Sequence, residues 1–419
     1  MKGAAAVAGC VALAAVSGCG GGSKATIAIG VLGVCQGTFA PFYDEVAAGA
    51  DLSLLARGGK LTGSHPSDGV SGARVSGHPV RFVFGCADES ATGALVQARR
   101  LVEQDGVQIV VGPETSDAGI AVRDYARTKP HVPFLIAMSP AVEPTLERPA
   151  PNVFRFTTNA LQWSAGLGTY AYRTLGWRRA VVVGNDFQYP YAEAASFIAE
   201  FCSLGGKIVK RVWGDPPVGV PRTRVDGYFM SEFLPQYLTA AVRAAGIGGE
   251  LRRRLVLGAA AVSFAAQGAL GDRGRGVVGG SPVPLGSSLS SWSRFLSQMK
   301  RAFTNIQPSA FAAGYYTSAE AALRALEATG GDLSHGTQKL MAALARTRFT
   351  TPTGPVRLNG HRQAIAPNYI VQVGKSGLRT LGSVGDVDDS YAGRFSPEQP
   401  LPGRRSPPCT TGNPPGWVR

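Results

Sequence analysis

The residues best suited to chemistry in this chain stand where an apolar run gives way to a helix. Gly112-Pro113-Glu114-Thr115-Ser116-Asp117 follows Gln108 to Val111, and Thr115 and Ser116 bring two hydroxyls to the helix start. The first amides of a helix lack an intrahelical acceptor and lie at the positive end of its dipole. Hydroxyls beside them suit a carboxylate or another acceptor. A second reading has Ser116 only capping the helix. Patterns for covalent, phosphoryl-transfer or metal-assisted catalysis are missing: there is no GxSxG elbow, P-loop, HExxH pair or dinucleotide fingerprint. Ser297-Gln298-Met299-Lys300 fits SxxK, but it falls on an amphipathic helix without companion motifs. His65, His78, His131, His335 and His361 are scattered beside turn residues, and Asp388-Asp389 sits in the tail. No catalytic residue, metal ligand set or cofactor is assigned, and the chain reads as a non-enzyme.

The chain begins like an exported protein. Met1-Lys2 is basic, Gly3 to Val16 is apolar, and Ser17-Gly18-Cys19 supplies small residues at a cleavage point. This is the pattern of a secretory signal over residues 1–18, too short to span a bilayer. Val16-Ser17-Gly18-Cys19 resembles a bacterial lipobox with Cys19 as the lipidated residue, and residues 19–24 then form a flexible linker. The alternative is an ordinary cleaved signal with a chance cysteine. The expectation is a protein lipid-anchored to the outer face of the cytoplasmic membrane, as a monomer. Net charge is +14, with Arg252-Arg253-Arg254 as a basic run. No basic stripe interleaved with stacking aromatics is visible, so nucleic acid is excluded as a partner, whereas a basic surface could rest against an anionic membrane.

The elements that must position the hydroxyl turn alternate. Ala25 to Val34 reads as a strand buried on both faces, Phe42 to Arg57 as a helix, and Val80 to Gly85 as a strand. Ser90 caps a helix with apolar residues at helical spacing, and Gln108 to Val111, Asp117 to Thr128 and Val132 to Ala137 continue the rhythm. The pattern restarts after residue 160 and runs to a hairpin around Asn359-Gly360. Such order predicts an α/β fold with doubly wound parallel sheets. From about Gly385 the tail is rich in Pro, Gly and Ser and is expected along the surface.

The segments Ile29-Gly30-Val31-Leu32, Ala98-Arg99-Arg100-Leu101-Val102, Val110-Val111-Gly112-Pro113 and Val132-Pro133-Phe134-Leu135 come in a telling order. They continue with Asn152 to Thr157, Leu175 to Val181, Ala312-Ala313-Gly314-Tyr315-Tyr316 and Thr353 to Leu358. Together they resemble type I periplasmic binding proteins, in particular the branched-chain amino-acid-binding receptors of ABC importers. The resemblance implies two lobes joined by three crossovers, with ligand between them. Lobe I would comprise residues 25–155 plus 283–350, lobe II residues 156–282 plus 351–376, and the tail residues 377–419.

By this resemblance the turn at Thr115 and Ser116 binds a carboxylate, and Gln36 and Phe39 lie on a ligand-facing loop. The stretch Ala137 to Pro144 matches a second ligand loop, where Ser139 keeps a hydroxyl and Ala141 replaces one. Tyr189 matches the aromatic placed over the ligand, with Asp186 nearby as a polar candidate. Ala260 stands where amino-acid binders carry a glutamate for the ligand's ammonium. An amine buried without a carboxylate is costly, which argues against an ordinary amino acid unless Asp186 or Glu232 substitutes. Gly214 to Pro221 is too rich in Gly and Pro for the helix usual there, which would leave sheet exposed.

Cys35 and Cys86 end strands that the fold makes neighbours, so they should pair, and Cys202 with Cys409 would staple the tail. The leading function is capture of a small polar ligand (amino-acid-like, amide or short carboxylate; aromatic acids also fit) for an ABC permease. A ligand-sensing receptor and a structural envelope lipoprotein with a vestigial cleft are the alternatives.

Overall fold

The computed structural model describes residues 24–418; the expected signal, Cys19 and the glycine spacer lie outside the described residues. β1 (Ile27–Val34) is buried at every position and pairs in parallel on both sides, as an unbroken apolar run requires. A short hairpin of β2 (Lys60–Leu61) and β3 (Val70–Ser71) follows, and β4 (Arg74–Val75) edges the first sheet. β5 (His78–Ala87), β6 (Ile109–Val111), β7 (Phe134–Leu135) and β8 (Val153–Phe154) complete it, in the order β4-β5-β1-β6-β7-β8.

The second sheet starts with β9 (Arg179–Gly184), β10 (Lys207–Trp213), β11 (Gly227–Ser231), β12 (Leu255–Leu257) and β13 (Val278–Ser281), all parallel. The chain then makes three helices, Ser290–Ala302, Ala310–Ala328 and Gln338–Arg346. Leu326, Leu340 and Leu344 of these helices join the core of the first sheet. It returns through β14 (Phe349–Thr351), β15 (Gly354–Leu358), β16 (Ala364–Val373) and β17 (Leu378–Val387), which add antiparallel strands beyond β13. The result is two parallel-dominated α/β lobes. Ser90 caps its helix through Gly93, as its position suggested.

Two expectations change. Residues from 377 onward are not simply a surface tail: Leu378–Val387 is a strand paired along β16. Beyond it Tyr391, Phe395 and Val418 are buried, and the Tyr391 hydroxyl bonds the Leu161 carbonyl at 2.7 Å. No helix joins β10 to β11, yet the sheet is not bare there. Val220 and Val225 pack into the core from this irregular stretch, and the tail lies across β10, where Trp213 Nε1 donates to the Arg404 carbonyl. The tail thereby supplies cover that the Gly- and Pro-rich segment cannot.

Both disulfides form. Cys35–Cys86 joins the ends of β1 and β5, and Cys202–Cys409 fixes the tail to the helix Gln188–Ser203, with Cα separations of 5.3 and 5.2 Å. The second lobe is closed at its base by Trp177, whose indole donates to the Arg253 carbonyl. Gly227 lies against that ring, so an added Cβ would overlap it. Gly227→Ala is expected to lower the unfolding free energy by about 1–3 kcal/mol in urea titrations. Unchanged stability would show that Trp177 can shift freely.

Candidate functional site

In a parallel sheet the helix starts and loops that follow the strands gather at the carboxyl ends. Here both sheets turn those ends toward one cavity of about 450 Å³. From the first lobe come Phe39 after β1, Thr115, Ser116 and Asp117 after β6, and Phe311 at the start of Ala310–Ala328. The second lobe contributes Phe187 and Tyr189 after β9, Phe233 after β11, and Ala259, Ala260 and Phe264 after β12. Trp163 completes the wall.

The lining is mainly aromatic. Trp163 meets Tyr189 edge-on at 5.9 Å between ring centroids, and Phe187 tilts against Tyr189 at 6.2 Å. Phe39 touches Phe311 at 5.9 Å within its own lobe and Phe233 at 5.7 Å across the cleft. Phe233 in turn meets Phe264 at 5.8 Å. Rings in such tilted pairs fix a slot that a flat apolar group can enter.

The polar end is the helix Ser116–Ala126. Its N-cap is Thr115, with no side-chain cap; the Thr115 hydroxyl points to the Glu89 carbonyl at 3.4 Å instead. Ser116 is therefore the first helical residue and not the cap. The first backbone bond of the turn runs from Gly119 N–H to the Thr115 carbonyl, so the amides before it remain open toward the cavity. Among the described residues no lysine or arginine lines the cavity; its charged residues are Glu89, Glu114 and Asp117. Glu89 accepts from the Phe39 amide at 2.9 Å. Glu114 accepts from the Val34 amide and the Tyr315 hydroxyl, both at 2.6 Å, and burial pushes its carboxyl up to about 7.

Tyr189 is placed by its hydroxyl, which accepts from the Ala260 amide at 2.9 Å. Beneath it Glu193, wholly buried, accepts from Ser231 Oγ and from the Ala259 amide, and burial raises its carboxyl to about 7. A glutamate side chain in place of Ala260 would stand in the cavity; the alanine leaves that space to the rings.

Of the residues singled out in the sequence, Phe39, Thr115, Ser116 and Tyr189 meet on the cavity wall. Gln36, Ser139, Ala141 and Asp186 lie off it. Gln36 is exposed on its loop, and Ser139 and Ala141 are buried against the first lobe. Asp186 is held by Arg404 of the tail (Nε to Oδ1, 2.8 Å) and by the Tyr191 hydroxyl, so it is not free for a ligand. Glu232 is buried with both carboxylate oxygens unpaired, and it too lies off the wall. The missed wall residues, Trp163, Phe233, Phe264 and Phe311, come from segments far apart in the chain, three of them on helices. Only Phe187, two residues before Tyr189, carried a local signal. Among the described residues no group of three or more His, Cys, Asp and Glu could hold a metal, and no helix is long and apolar enough to cross a membrane.

Residues 26–219 and 225–378 match the periplasmic binding protein family. No curated protein matches the chain. Among solved structures, an ABC transporter substrate-binding protein from Sphaerobacter thermophilus superposes with a TM-score of 0.74 at 22% identity, over 87% of this chain and 99% of that one. A solute-binding protein from R. palustris in complex with benzoate gives 0.67 at 20% identity, covering 86% and 97%. A leucine-binding protein from Thermotoga maritima gives 0.68 at 21% identity, covering 86% and 99%.

Proposed function

This chain belongs to the periplasmic binding protein family, and on that premise we propose that it is the solute-binding receptor of an ABC importer for a small aromatic carboxylate. The observation that carries the reading is a cavity walled by seven aromatic residues with an uncapped helix N-terminus at one end. The rings take the apolar body, and the open amides with Thr115 and Ser116 take the carboxylate. Ala260 fits the same reading, because a ligand without an ammonium needs no glutamate there. The benzoate complex of the R. palustris relative supports the class, and among the ligands the sequence left open, amino-acid-like, amide, short carboxylate or aromatic acid, the aromatic acid suits this wall best. Export and attachment through Cys19 would keep the receptor beside its permease.

Ligand that binds only the folded state raises the melting temperature. A thermal-shift panel of benzoate, phenylacetate, benzamide, benzylammonium and leucine should therefore give its largest shifts with the two acids. A larger shift with benzylammonium or leucine, or none with any compound, would overturn the proposal.

Glu114 adds a pH dependence. Its folded carboxyl titrates near 7, raised by burial, so it becomes neutral as pH falls through that value. Removing a like charge beside a bound carboxylate favours binding. Affinity for the acid is expected to be roughly threefold to tenfold higher at pH 6 than at pH 8 by calorimetry. Glu114→Gln should flatten the profile; an identical slope in the variant would rule Glu114 out as its source.

A further inference from the structure

The chain's basic residues look dispersed in sequence, but the fold gathers many of them at one end of the second lobe. That end holds the amino termini of the parallel strands, opposite the cavity. Register places it: Lys207 pairs with Arg179, Gly227 with Ala180, Tyr228 with Leu255, and Val256 with Val278. The turns leading into these strands carry Arg178, Arg179, Arg222, Arg224 and the run Arg252 to Arg254. Arg273 and Arg275 precede β13, and Lys375 and Arg379 lie where β16 turns into β17, with Gln372 beside both Val278 and Arg379. Arg173 and Arg243 end the helices Leu167–Arg173 and Pro235–Ala245, which come down to the same end.

These turns are one continuous surface. Arg179 Nε reaches the Arg224 carbonyl at 2.7 Å, Arg254 the Val225 carbonyl at 3.0 Å, and Arg273 the Ile247 carbonyl at 3.3 Å. Acids on the same turns are Asp226, Glu250 and Asp272. Asp226 is spent on the Arg178 and Arg179 amides, Glu250 pairs with Arg252 and Arg253, and Asp272 with Arg275. Arg173, Lys207, Arg243 and Lys375 are exposed, and no side-chain hydrogen bond or ion pair ties them down among the described residues. Of the large exposed hydrophobic residues only Val218 lies on one of these connections, four residues before Arg222, and Trp177 beneath them is buried.

We infer that this pole docks on an anionic lipid surface. A wide, net-positive field with no exposed ring to stack on a base fits lipid headgroups better than nucleic acid. Each basic residue near such a surface contributes about 1 kcal/mol, and salt screens the attraction. The inference rests on the extracytoplasmic reading above, since it needs a bilayer within reach. Contact at this pole leaves the cavity open to solute.

The test is co-sedimentation of the full chain, with Cys19→Ala to remove lipidation, on phosphatidylglycerol and on phosphatidylcholine vesicles at low and high salt. Binding to phosphatidylglycerol should exceed that to phosphatidylcholine by about tenfold or more and fall away at high salt. Changing Arg173, Lys207, Arg243 and Lys375 together to Gln should weaken it at least about tenfold while the ligand-induced melting shift stays the same. Equal binding to both lipids, full binding by the fourfold variant, or preference for duplex DNA over vesicles would overturn the inference. Loss of the ligand shift in the parent chain would count against the receptor reading alone.

Discussion

Ala260→Glu is expected to abolish capture of aromatic carboxylates. The new side chain would enter the cavity at the wall that Ala260 now forms, beside the Tyr189 ring. The new carboxylate would stand among the rings that hold the ligand's apolar body, with no lysine or arginine among the described residues of the cavity wall to pair with, and burying it there costs roughly 3 kcal/mol, about a hundredfold in affinity. Ala260→Gln, of similar size and uncharged, should lose much less, which separates charge from crowding. Calorimetric titration of both variants reads the difference; equal losses would mean that crowding alone, and not the buried charge, closes this wall to the ring.

Cys409→Ser is expected to produce the largest loss of stability. The Cys202–Cys409 bond spans 207 residues, and opening so long a loop releases much chain entropy in the unfolded state. A loss of about 3–5 kcal/mol in guanidinium unfolding is expected. The tail also adds hydrogen bonds to groups of the second lobe. Trp417 Nε1 donates at 2.8 Å to Glu200, a buried carboxylate that also accepts from the Gly166 and Thr169 amides. Arg404 holds Asp186 at the turn before Phe187. Proteolysis after Val387 should therefore quicken in the variant. An unchanged unfolding midpoint and an intact tail would show that packing alone secures it.

The parallel strands were legible because they are apolar on both faces: β6 and β12 are continuous Ile, Val and Leu, and β1 and β9 add only Ala, Gly and one Arg to such runs. The turn at Thr115 and Ser116 was legible because hydroxyls cluster where strand becomes helix. β17 escaped notice for the opposite reason. Leu378–Val387 carries two glycines and is exposed along most of its length, so its pairing with β16 leaves little trace in hydropathy. Asp186 looked available because its partner Arg404 is 218 residues away. The aromatic wall was illegible on the same ground: Trp163, Phe233, Phe264 and Phe311 look like scattered core residues until two sheets bring their segments together.

The basic pole shows the same limit in charge. Arg179, Arg224, Arg254 and Arg275 are separated by tens of residues, and only the strand register sets them side by side.

A crystal structure of the chain grown with the tightest-binding aromatic acid tests the central claim most directly. The ring should lie between Tyr189 and Phe39, with its carboxylate within hydrogen-bond distance of the Ser116 and Asp117 amides. A ligand bound outside the cleft, or one whose carboxylate points to Ala260 and away from that helix start, would contradict the account.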